Sequence, residues 1–411
     1  MSKNFEYFTP TKVVFGKDKE NDVGSLIKAL NYKKVLIHYG GNHIIKSGLL
    51  DRIKKSLSQE GIQFIELSGV VPNPRLSLVY KGIELCKKEN VDFILAIGGG
   101  SVIDSSKAIG YGVTNEGDVW EFYDQKRNAT NCLPIGVVLT IAAAGSEMSK
   151  SSVITKDEGG IKRGYSNDLC RPKFAILNPE LTMSLSDYQT ASGCVDTLMH
   201  TMERYFTPAG NLELTDKIAE SLMISTIKHA LILKENPQNY ESRAEIMWAG
   251  SLSHNGLTSC GGDNGDWSTH KLEHELSGMF DVTHGSGLAA LWPSWARYVY
   301  KSCLDRFYKF AINVMNIENI GTKEEIALKG IQAMESFYHQ INMPTNLKEL
   351  GLNITEDDIH ELATKCSIAV NGSVGTAKLL NKNDFINIYK LANECWLFLS
   401  YLYLQTLKLN V

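Results

Sequence analysis

A length of 411 residues indicates two or three domains. Hydrophobic residues make up 43% of the chain and charged residues 21%, which is typical of soluble globular proteins. Lys and Arg number 42 against 46 for Asp and Glu, so the net charge is -4. No block of like charge accompanies this balance, and the composition therefore argues against nucleic acid as the main partner.

The first 16 residues lack the apolar core of a signal peptide, and no run reaches the roughly 20 apolar residues of a membrane span. The eight cysteines are scattered and form no CxxC pair. Scattered thiols without a secretion signal are typical of reduced proteins. We therefore expect a cytoplasmic protein with no membrane partner.

The first part of the chain alternates short apolar runs with amphipathic stretches. Helical spacing is seen in one such stretch, at Val79, Ile83 and Cys86. Alternation of this kind predicts a parallel α/β sheet whose strands are buried on both faces. The expected strands are KVLIHY (34–39), QFIEL (63–67), FILAIG (93–98), PIGVVLT (134–140) and KFAIL (173–177).

From about Ser186 onward, strand-like runs become rare and helical spacing dominates. Thr322 and Glu325 form the pattern of a capping box that opens a helix. The fold class is therefore expected to be α/β followed by all-α. We expect a Rossmann-like, dinucleotide-binding parallel-sheet domain over residues 1–183 and a helical, metal-binding domain over residues 184–411.

A glycine turn joins the strand FILAIG to a helix in "FILAIGGGSVIDSSKAIG". Gly98, Gly99 and Gly100 permit close approach of a ligand to the backbone, and Ser101 starts a helix whose free N–H groups favour an anion. A pyrophosphate fits such a turn. The alternative is a tight strand-to-helix turn without a ligand, since the sequence is neither GxGxxG nor a P-loop.

A second glycine turn, Gly40-Gly41-Asn42, follows the strand KVLIHY, with His43 and Lys46 close behind. In dinucleotide folds a carboxylate near this position holds the ribose 2′-hydroxyl of NAD, whereas NADP requires its absence. No acid is present in the turn, which favours NADP, with NAD possible. The alternative is that these are ordinary loop residues.

Three histidines lie close together in "GDWSTHKLEHELSGMFDVTHGSG": His270, His274 and His284. The first two are four residues apart and share a helical face. A helix break is expected at Gly278, before His284. The zinc-protease motif HExxH is absent, and a purely structural role for the histidines stays open.

A fourth histidine, His200, follows Asp196 at the same helical spacing. The small-residue stretch "ASGC" before them is expected to form a turn that lets the helix begin close to another element. One carboxylate with up to three imidazoles suits one divalent metal, Fe(II) or Zn(II).

Four motifs together resemble a known family: "GGGSVIDSSK", "AAAGSEMS", "SGCVDTLMHTMERY" and "GDWSTHKLEHELSGMFDVTHGSGLA". The chain resembles the iron-containing (group III) alcohol dehydrogenases over nearly its whole length. Within that family it is most similar to the NADP-linked butanol dehydrogenase and aldehyde reductase branch. The resemblance implies the dehydroquinate synthase-like fold and a homodimer.

The resemblance also implies roles for particular residues. The metal ligands would be Asp196, His200, His270 and His284, and His274 would lie near the nicotinamide and substrate as a catalytic residue or as a pocket wall. Spacing alone would instead pair His270 with His274. The implied cofactor contacts are Gly40, Gly41, Asn42, Asn73, Gly98, Gly99, Gly100, Ser101, Asp104, Thr140, Ser146 and Lys162.

The chain departs from the family pattern at Ala144, Ser149 and Asn178, where Thr, Asn and Asp are usual. An altered hydrogen bond on the cofactor side is expected at the first two positions. The tail "NECWLFLSYLYLQTLKLNV" is longer and more apolar than the family pattern. We interpret it as an added helix that packs on the core or on a partner subunit.

The resemblance implies reversible oxidation of a primary alcohol to an aldehyde, with hydride exchanged with NAD(P) and a short-chain substrate such as butanal. Trp267 and Phe280 would line the apolar pocket or serve only as core. The alternatives are a glycerol dehydrogenase-like enzyme, a dehydroquinate synthase-like lyase-cyclase, and a non-catalytic metal-binding protein.

Overall fold

The structure is a computed structural model that describes residues 3–208 and 212–394. The apolar tail, interpreted from sequence as an added helix, lies almost entirely outside the described residues.

Ten strands occur in the described part of the chain. They are β1 (Lys12–Phe15), β2 (Lys34–Tyr39), β3 (Gln63–Leu67), β4 (Phe93–Gly98), β5 (Ile135–Leu139), β6 (Ser151–Lys156), β7 (Ile161–Ser166), β8 (Phe174–Leu177), β9 (Ser373–Val374) and β10 (Leu380–Asn381).

Six of these strands form one parallel sheet in the order β1-β8-β5-β4-β2-β3. The five strands expected from sequence are confirmed. Strand β1 was not predicted because it is only four residues long and its side chains are half-buried or exposed. The antiparallel hairpin of β6 and β7 was also missed, and it lies outside the main sheet.

Fifteen α-helices accompany these strands in the described residues. They are α1 (Val23–Ala29), α2 (His43–Lys46), α3 (Leu49–Gln59), α4 (Leu76–Glu89), α5 (Gly100–Thr114), α6 (Trp120–Tyr123), α7 (Asp187–Tyr205), α8 (Glu213–Glu235), α9 (Tyr240–His254), α10 (Ser268–Phe280), α11 (His284–Val299), α12 (Leu304–Asn313), α13 (Lys323–Gln340), α14 (Glu356–Ala369) and α15 (Lys382–Asn393).

The two faces of the sheet belong to separate apolar cores. Val35 and Ile37 of β2 pack in a smaller core with side chains of α1 and α3. Leu36, between them, packs in a larger core that continues through α4 and α5 into the helical half. Alternating side chains of one strand therefore tie both layers together, as the two-fold period of a strand requires.

The half that follows Asn178 is helical, as expected, except for the two-residue strands β9 and β10. The capping box of Thr322 and Glu325 opens α13 and is confirmed. Within the residues that the structure describes, no helix has the length and apolar character needed to span a bilayer.

The prediction of a turn at "ASGC" was wrong, because these residues lie inside α7. The expected close approach is present nevertheless. A Cβ at Gly193 would lie 2.2 Å from the carbonyl oxygen of Ala142, in the segment that follows β5. Glycine therefore lets the helix contact the carboxyl-end loop of the sheet while remaining helical.

The helix break predicted at Gly278 was also wrong. Helix α10 continues to Phe280 and ends where Asp281 adopts a left-handed backbone conformation, with φ of 52°. Gly278 serves packing instead: a Cβ there would lie 2.2 Å from the carbonyl oxygen of Gly160 in the β6–β7 turn. The hairpin thus rests directly on α10.

Candidate active site

Helix α7 presents Asp196 and His200 four residues apart on one buried face. The helix begins with a capping box in which Ser186 accepts from the backbone of Gln189. Because both side chains point the same way from a well-anchored helix, the predicted pair is placed on a rigid element.

Two further helices bring the other histidines to Asp196. His270 is on α10 and His284 is the first residue of α11. The Nε2 atoms of both rings lie 3.8 Å from Asp196 Oδ1. The ligand atoms of these three residues all lie within 4.8 Å of one another.

His200 lies beside this compact group of three. Its Nδ1 is 3.0 Å from the backbone oxygen of Asp196 and 3.1 Å from Oδ1 of the same residue. Its ring centroid is 4.6 Å from that of His270. The structure therefore brings all four predicted ligands together, with His200 slightly outside the tightest grouping.

The donor set fits a divalent cation. Asp196 Oδ1 and His270 Nε2 are buried and have no hydrogen-bond partner among the described residues. Burial opposes ionisation of Asp196, yet the nearby His200 and His284 hold the pKa of its carboxyl well below the ordinary value. A charged carboxylate and an orphaned imidazole nitrogen that face one another are the groups that a bound metal satisfies.

Two buried glutamates contact the Nδ1 atoms of two of these histidines, and neither glutamate was predicted from the sequence. Glu203 accepts from the backbone N–H of His270 and lies 3.2 Å from its Nδ1. Glu273 contacts Nδ1 of His284. Each carboxylate leaves the Nε2 atom of its histidine free to face Asp196. Their sequence signal was an acid three residues after His200 and three after His270, on the same helical faces.

His274 is buried on α10, with its ring centroid 6.4 Å from His270 and 5.8 Å from His284. Burial lowers the pKa of its ring well below the ordinary value, and the cations of Lys162 and Lys271 lower it further. The ring is therefore neutral near pH 7.

A second possible ligand group consists of Glu273, His274 and His284. In this group the carboxylate of Glu273 is already engaged by His284, Ser277 and Lys162. In the group around Asp196, by contrast, Asp196 Oδ1 and His270 Nε2 are buried without a hydrogen-bond partner among the described residues, so this group fits a metal better.

The carboxyl ends of neighbouring strands form the other side of the site. Gly40 follows β2, Gly98 ends β4 and Thr140 follows β5. Helix α5 begins at Gly100, immediately after Gly99, and Ser101 lies in its first turn. The predicted glycine turn therefore points a helix N-terminus at the sheet edge, which is a place where an anion is stabilised.

A cavity of about 640 Å³ lies at the same edge. His43, Thr140, Asn178, Leu181 and Ser184 are among its lining residues. Asn178 donates to the buried carboxylate of Glu20 at 2.9 Å and accepts from the backbone of Glu180. Asp at this position would face Glu20 with a second negative charge, which gives a physical reason for Asn in this chain.

Asp104 and Ser146, both predicted as cofactor contacts, bond to each other at 2.5 Å. Asp104 also accepts from the backbone of Val153. The fully buried ammonium of Lys107 donates to the hydroxyl and carbonyl oxygens of Ser146 and to the Ser151 carbonyl. These side chains join α5 to the loop that carries "AAAGSEMS", and both hydrogen-bonding capacities of the Ser146 hydroxyl are used inside the protein.

Asn73 and Lys162 lie where the sheet half meets the helices that carry the four histidines and Asp196. Asn73 donates to Asp281 at 2.9 Å, in the loop before His284. Lys162 on β7 lies 3.5 Å from Glu273 and is buried. The structure therefore places both residues against the loop and helix that carry the histidines.

The departures at Ala144 and Ser149 are explained in part. The hydroxyl of Ser149 lies 3.4 Å from the Lys107 ammonium, within the network under α5. A Cβ at Gly100 would lie 3.1 Å from that of Ala144, so a small side chain there keeps the glycine turn open.

Comparison with known proteins shows to which family the chain belongs. The family description "Iron-containing alcohol dehydrogenase" matches residues 10–179, and "Fe-containing alcohol dehydrogenase family, C-terminal" matches residues 190–393. The chain belongs to the iron-containing alcohol dehydrogenase family. Its parallel sheet followed by helices is the architecture of that family.

Among curated relatives, NADH-dependent butanol dehydrogenase A of Clostridium acetobutylicum is 41% identical over 94% of this chain and 99% of its own length. NADPH-dependent aldehyde reductase YqhD of Escherichia coli is 32% identical over 85% of this chain and 90% of its own. The solved structure of a Thermotoga maritima NADH-dependent butanol dehydrogenase A aligns with a TM-score of 0.92 at 38% identity, covering 96% of this chain and 99% of that one.

The family and these relatives establish the reaction class. This iron-containing alcohol dehydrogenase homologue is a pyridine nucleotide-dependent oxidoreductase that interconverts alcohols and aldehydes. The family uses NAD(P)H together with a divalent metal, typically iron.

Proposed function

We propose that this enzyme interconverts short primary alcohols and aldehydes, such as butanol and butanal, with one Fe(II) or Zn(II) ion. The main observation that supports the metal is a pair of buried atoms, Asp196 Oδ1 and His270 Nε2, which lie where α7 meets α10. Neither atom has a hydrogen-bond partner among the described residues. The proposed ligands are Asp196, His200, His270 and His284.

A bound metal would act as a Lewis acid toward the substrate oxygen. The chain's own residues do the remaining work. Glu203 and Glu273, both buried, would orient the rings of His270 and His284. Residues 1–183 would position the nicotinamide, and residues 184–411 would bind the metal. The substrate would therefore lie between the two halves, where Lys162 contacts Glu273 of α10.

The dinucleotide is proposed to cross the carboxyl edge of the sheet. Its pyrophosphate would lie on the backbone N–H groups at the start of α5, and its adenosine in the 640 Å³ cavity lined by Thr140. The proposed contacts are Gly40, Gly41, Asn42, Asn73, Gly98, Gly99, Gly100, Ser101, Asp104, Thr140, Ser146 and Lys162. Because Asp104 and Ser146 bond to each other, they would act mainly by supporting the glycine turn.

NADP(H) is the cofactor favoured by the acid-free turn Gly40–Asn42, which Gly69 buttresses by donating to the Gly40 carbonyl. NAD(H) is the second candidate. The carboxylates of Asp18, Glu20 and Glu180 line the adjoining cavity, and they would repel a 2′-phosphate. The clostridial relative described above is also named as NADH-dependent.

His274 is proposed to contact the substrate and to pass its hydroxyl proton through a ring nitrogen. The support is its buried position beside His270 and His284 and its neutral ring. The other possibility is an inert pocket wall. A His274→Ala enzyme whose rate falls equally at every pH would fit the wall and exclude the proton role.

The test is anaerobic purification, loading with Fe(II) or Zn(II), and assay of butanal reduction with NADPH and NADH in parallel. Metal-dependent turnover with higher kcat/KM for NADPH supports the whole proposal. Higher kcat/KM for NADH overturns the NADP preference alone. An Asp196→Asn variant should lose bound metal in elemental analysis, and full retention of metal would overturn the ligand set.

The homodimer and the cytoplasmic location are also proposals. The seven described cysteines are free thiols, which is compatible with a reducing compartment. Light scattering on the purified protein decides the first proposal, and fractionation of the source cells decides the second.

A further inference from the structure

Trp267, the residue directly before α10, has a strained backbone conformation. Its φ is 63°, in the left-handed region, where the Cβ of a bulky residue crowds the following carbonyl oxygen. In the described part of the chain, the other non-glycine residues with positive φ are Asn, Asp and one Gln. Such strain persists only where surrounding contacts hold it, and it is concentrated at functional sites. The conformation therefore points to a role for the indole.

The turn around Trp267 is held by contacts to distant parts of the protein. The backbone N–H of Asp266 donates to the carbonyl oxygen of Glu203 in α7 at 2.7 Å. The buried carboxylate of Asp266 accepts from the N–H groups of Thr376 at 2.6 Å and Ala377 at 2.8 Å, between β9 and β10. The turn is thus tied both to α7 and to the connection between β9 and β10.

The indole of Trp267 lies against side chains of three helices. Its ring centroid is 5.3 Å from that of His270 on α10, 6.1 Å from that of His200 on α7 and 5.9 Å from that of His254 at the end of α9. These are edge-to-face contacts at favourable distances. The guanidinium of Arg204 lies 4.6 Å from the same ring and also donates to the carbonyl oxygen of His200 at 2.6 Å. The indole therefore contacts two of the four proposed metal ligands.

His200 is the proposed ligand that depends most on these ring contacts. The other two histidine ligands each have a buried glutamate against Nδ1, which comes from a different helix or a different turn. Nδ1 of His200 instead lies 3.0 Å from the carbonyl oxygen of Asp196, in the same helix. Among the described residues, no carboxylate from another element contacts the His200 ring. Its orientation from outside α7 is set by the neighbouring rings.

We propose that Trp267 is a positioning residue of the metal site: its indole sets the orientation of His200, and the strained turn holds the indole in place. This inference rests on the ligand set of the proposed function. Groups that orient metal ligands without touching the metal commonly change its affinity 10- to 100-fold when they are replaced. Loss of the indole should therefore weaken metal binding and alter the ligand geometry in a protein that is still folded.

The test measures metal binding by Trp267→Gly, Trp267→Asn and Trp267→Phe. Glycine and asparagine adopt positive φ more easily than tryptophan, so the turn keeps its shape while the indole is lost. Phenylalanine keeps an aromatic ring. Competition with a chromophoric chelator gives Kd for Zn(II), and the visible absorption bands of the Co(II)-loaded protein report the ligand geometry. Trp248→Ala is the matched control, since Trp248 is an exposed tryptophan on α9.

The glycine and asparagine variants should bind Zn(II) about tenfold more weakly than the wild type and show shifted Co(II) bands. The phenylalanine variant and the control should stay close to the wild type in both readouts. Wild-type affinity and bands in the folded variants without an aromatic ring overturn the inference, even if their denaturant midpoints fall, because the indole is then purely structural. An equal loss of affinity in Trp267→Phe overturns it as well.

The proposed function is judged by a separate variant. If Asp196→Asn loses its metal while Trp267→Gly and Trp267→Asn bind it normally, only the role of Trp267 is wrong. Full retention of metal by Asp196→Asn would instead refute the ligand set on which the inference rests.

Discussion

At the scale of single residues, the proposed metal site depends on groups outside the proposed ligand set. Glu203 and Glu273 each lie against the Nδ1 atom of one histidine and so decide which nitrogen faces Asp196. Burial alone would raise the pKa of Glu273, but His284 and then Lys162 hold it below its ordinary value. The carboxylate therefore stays charged at neutral pH and polarises the His284 ring.

Replacing Glu273 with Gln should weaken metal binding roughly 10- to 100-fold, because the neutral amide neither orients nor polarises His284 as a carboxylate does. Competition with a chromophoric chelator measures the affinity. Glu335→Gln is the matched control, since that glutamate pairs with Arg297 away from the site. Equal affinities in the two variants would contradict the assigned role of Glu273.

At the scale of elements, helix α5 and the loop after β5 are joined by a buried cation. The Lys107 ammonium has three donors and is surrounded by oxygens of Ser146, Ser149 and Ser151. With the side chain fully buried, no water can replace it. The loop conformation beside the glycine turn thus depends on one side chain of the adjoining helix.

A Lys107→Met substitution should lower the free energy of unfolding by about 2–4 kcal/mol, since it leaves several buried oxygens unpaired. It should also raise KM for the cofactor more than it lowers kcat, because the glycine turn loses its support. Urea unfolding and steady-state kinetics give the two values. Lys150→Met is the control on the same loop, where the side chain is half exposed. If Lys150→Met lowers the free energy of unfolding and raises KM for the cofactor as much as Lys107→Met does, the assigned role of Lys107 is wrong.

The contact between α10 and the β6–β7 hairpin is the second element-scale feature. Gly278→Ala should destabilise the protein by about 1–3 kcal/mol, because the added methyl group meets the Gly160 carbonyl oxygen at 2.2 Å. Gly41→Ala is the stability control, since a Cβ there meets no atom within 4 Å. The denaturant midpoints of the two variants check the prediction. If Gly278→Ala is as stable as the wild type, the hairpin moves away from α10 without a cost in stability, and the prediction is wrong.

At the scale of the whole molecule, ion pairs connect the sheet half to the helical half. Arg163 bonds Glu275 at 2.8 Å, and Arg75 bonds Asp281 at 2.9 Å. The buried contact of Lys162 with Glu273 also joins β7 to α10. Together with the larger apolar core that runs through both halves, these contacts predict that the two halves unfold as one unit.

Metal binding in the helical half should therefore protect the sheet half. At a free metal concentration of 100 times Kd, thiol labelling of buried Cys86 in α4 and buried Cys366 in α14 should slow by the same factor, about 100-fold. Peptide mapping after timed labelling measures both rates. In a His284→Ala variant the metal should slow neither. Protection of Cys366 alone would show that the halves unfold separately.

Local patterns in the sequence were sufficient for most of the framework of this protein, although β1 and the β6–β7 hairpin were not predicted. The five predicted strands, a helix that follows the glycine turn and the capping box at Thr322 all follow from short-range rules of periodicity, glycine turns and caps. The helix was predicted to start at Ser101 and starts one residue earlier, at Gly100. The pairing of Asp196 with His200 on one helical face is equally local. Such features depend on neighbours within a few residues, so the sequence alone determines them.

Other features depended on contacts between distant segments. Whether Gly278 breaks a helix or packs against Gly160 cannot be judged from spacing, because the deciding atom lies more than 100 residues away in the chain. Spacing alone would likewise pair His270 with His274. In the structure, the Nε2 atoms of His270 and His284 point toward Asp196 instead. That Asp104 and Ser146 are partners could not be seen from the sequence for the same reason. The sequence determined which chemical groups this protein carries and on which elements, and tertiary packing alone decided which of them meet, since burial and distance are properties of the folded chain.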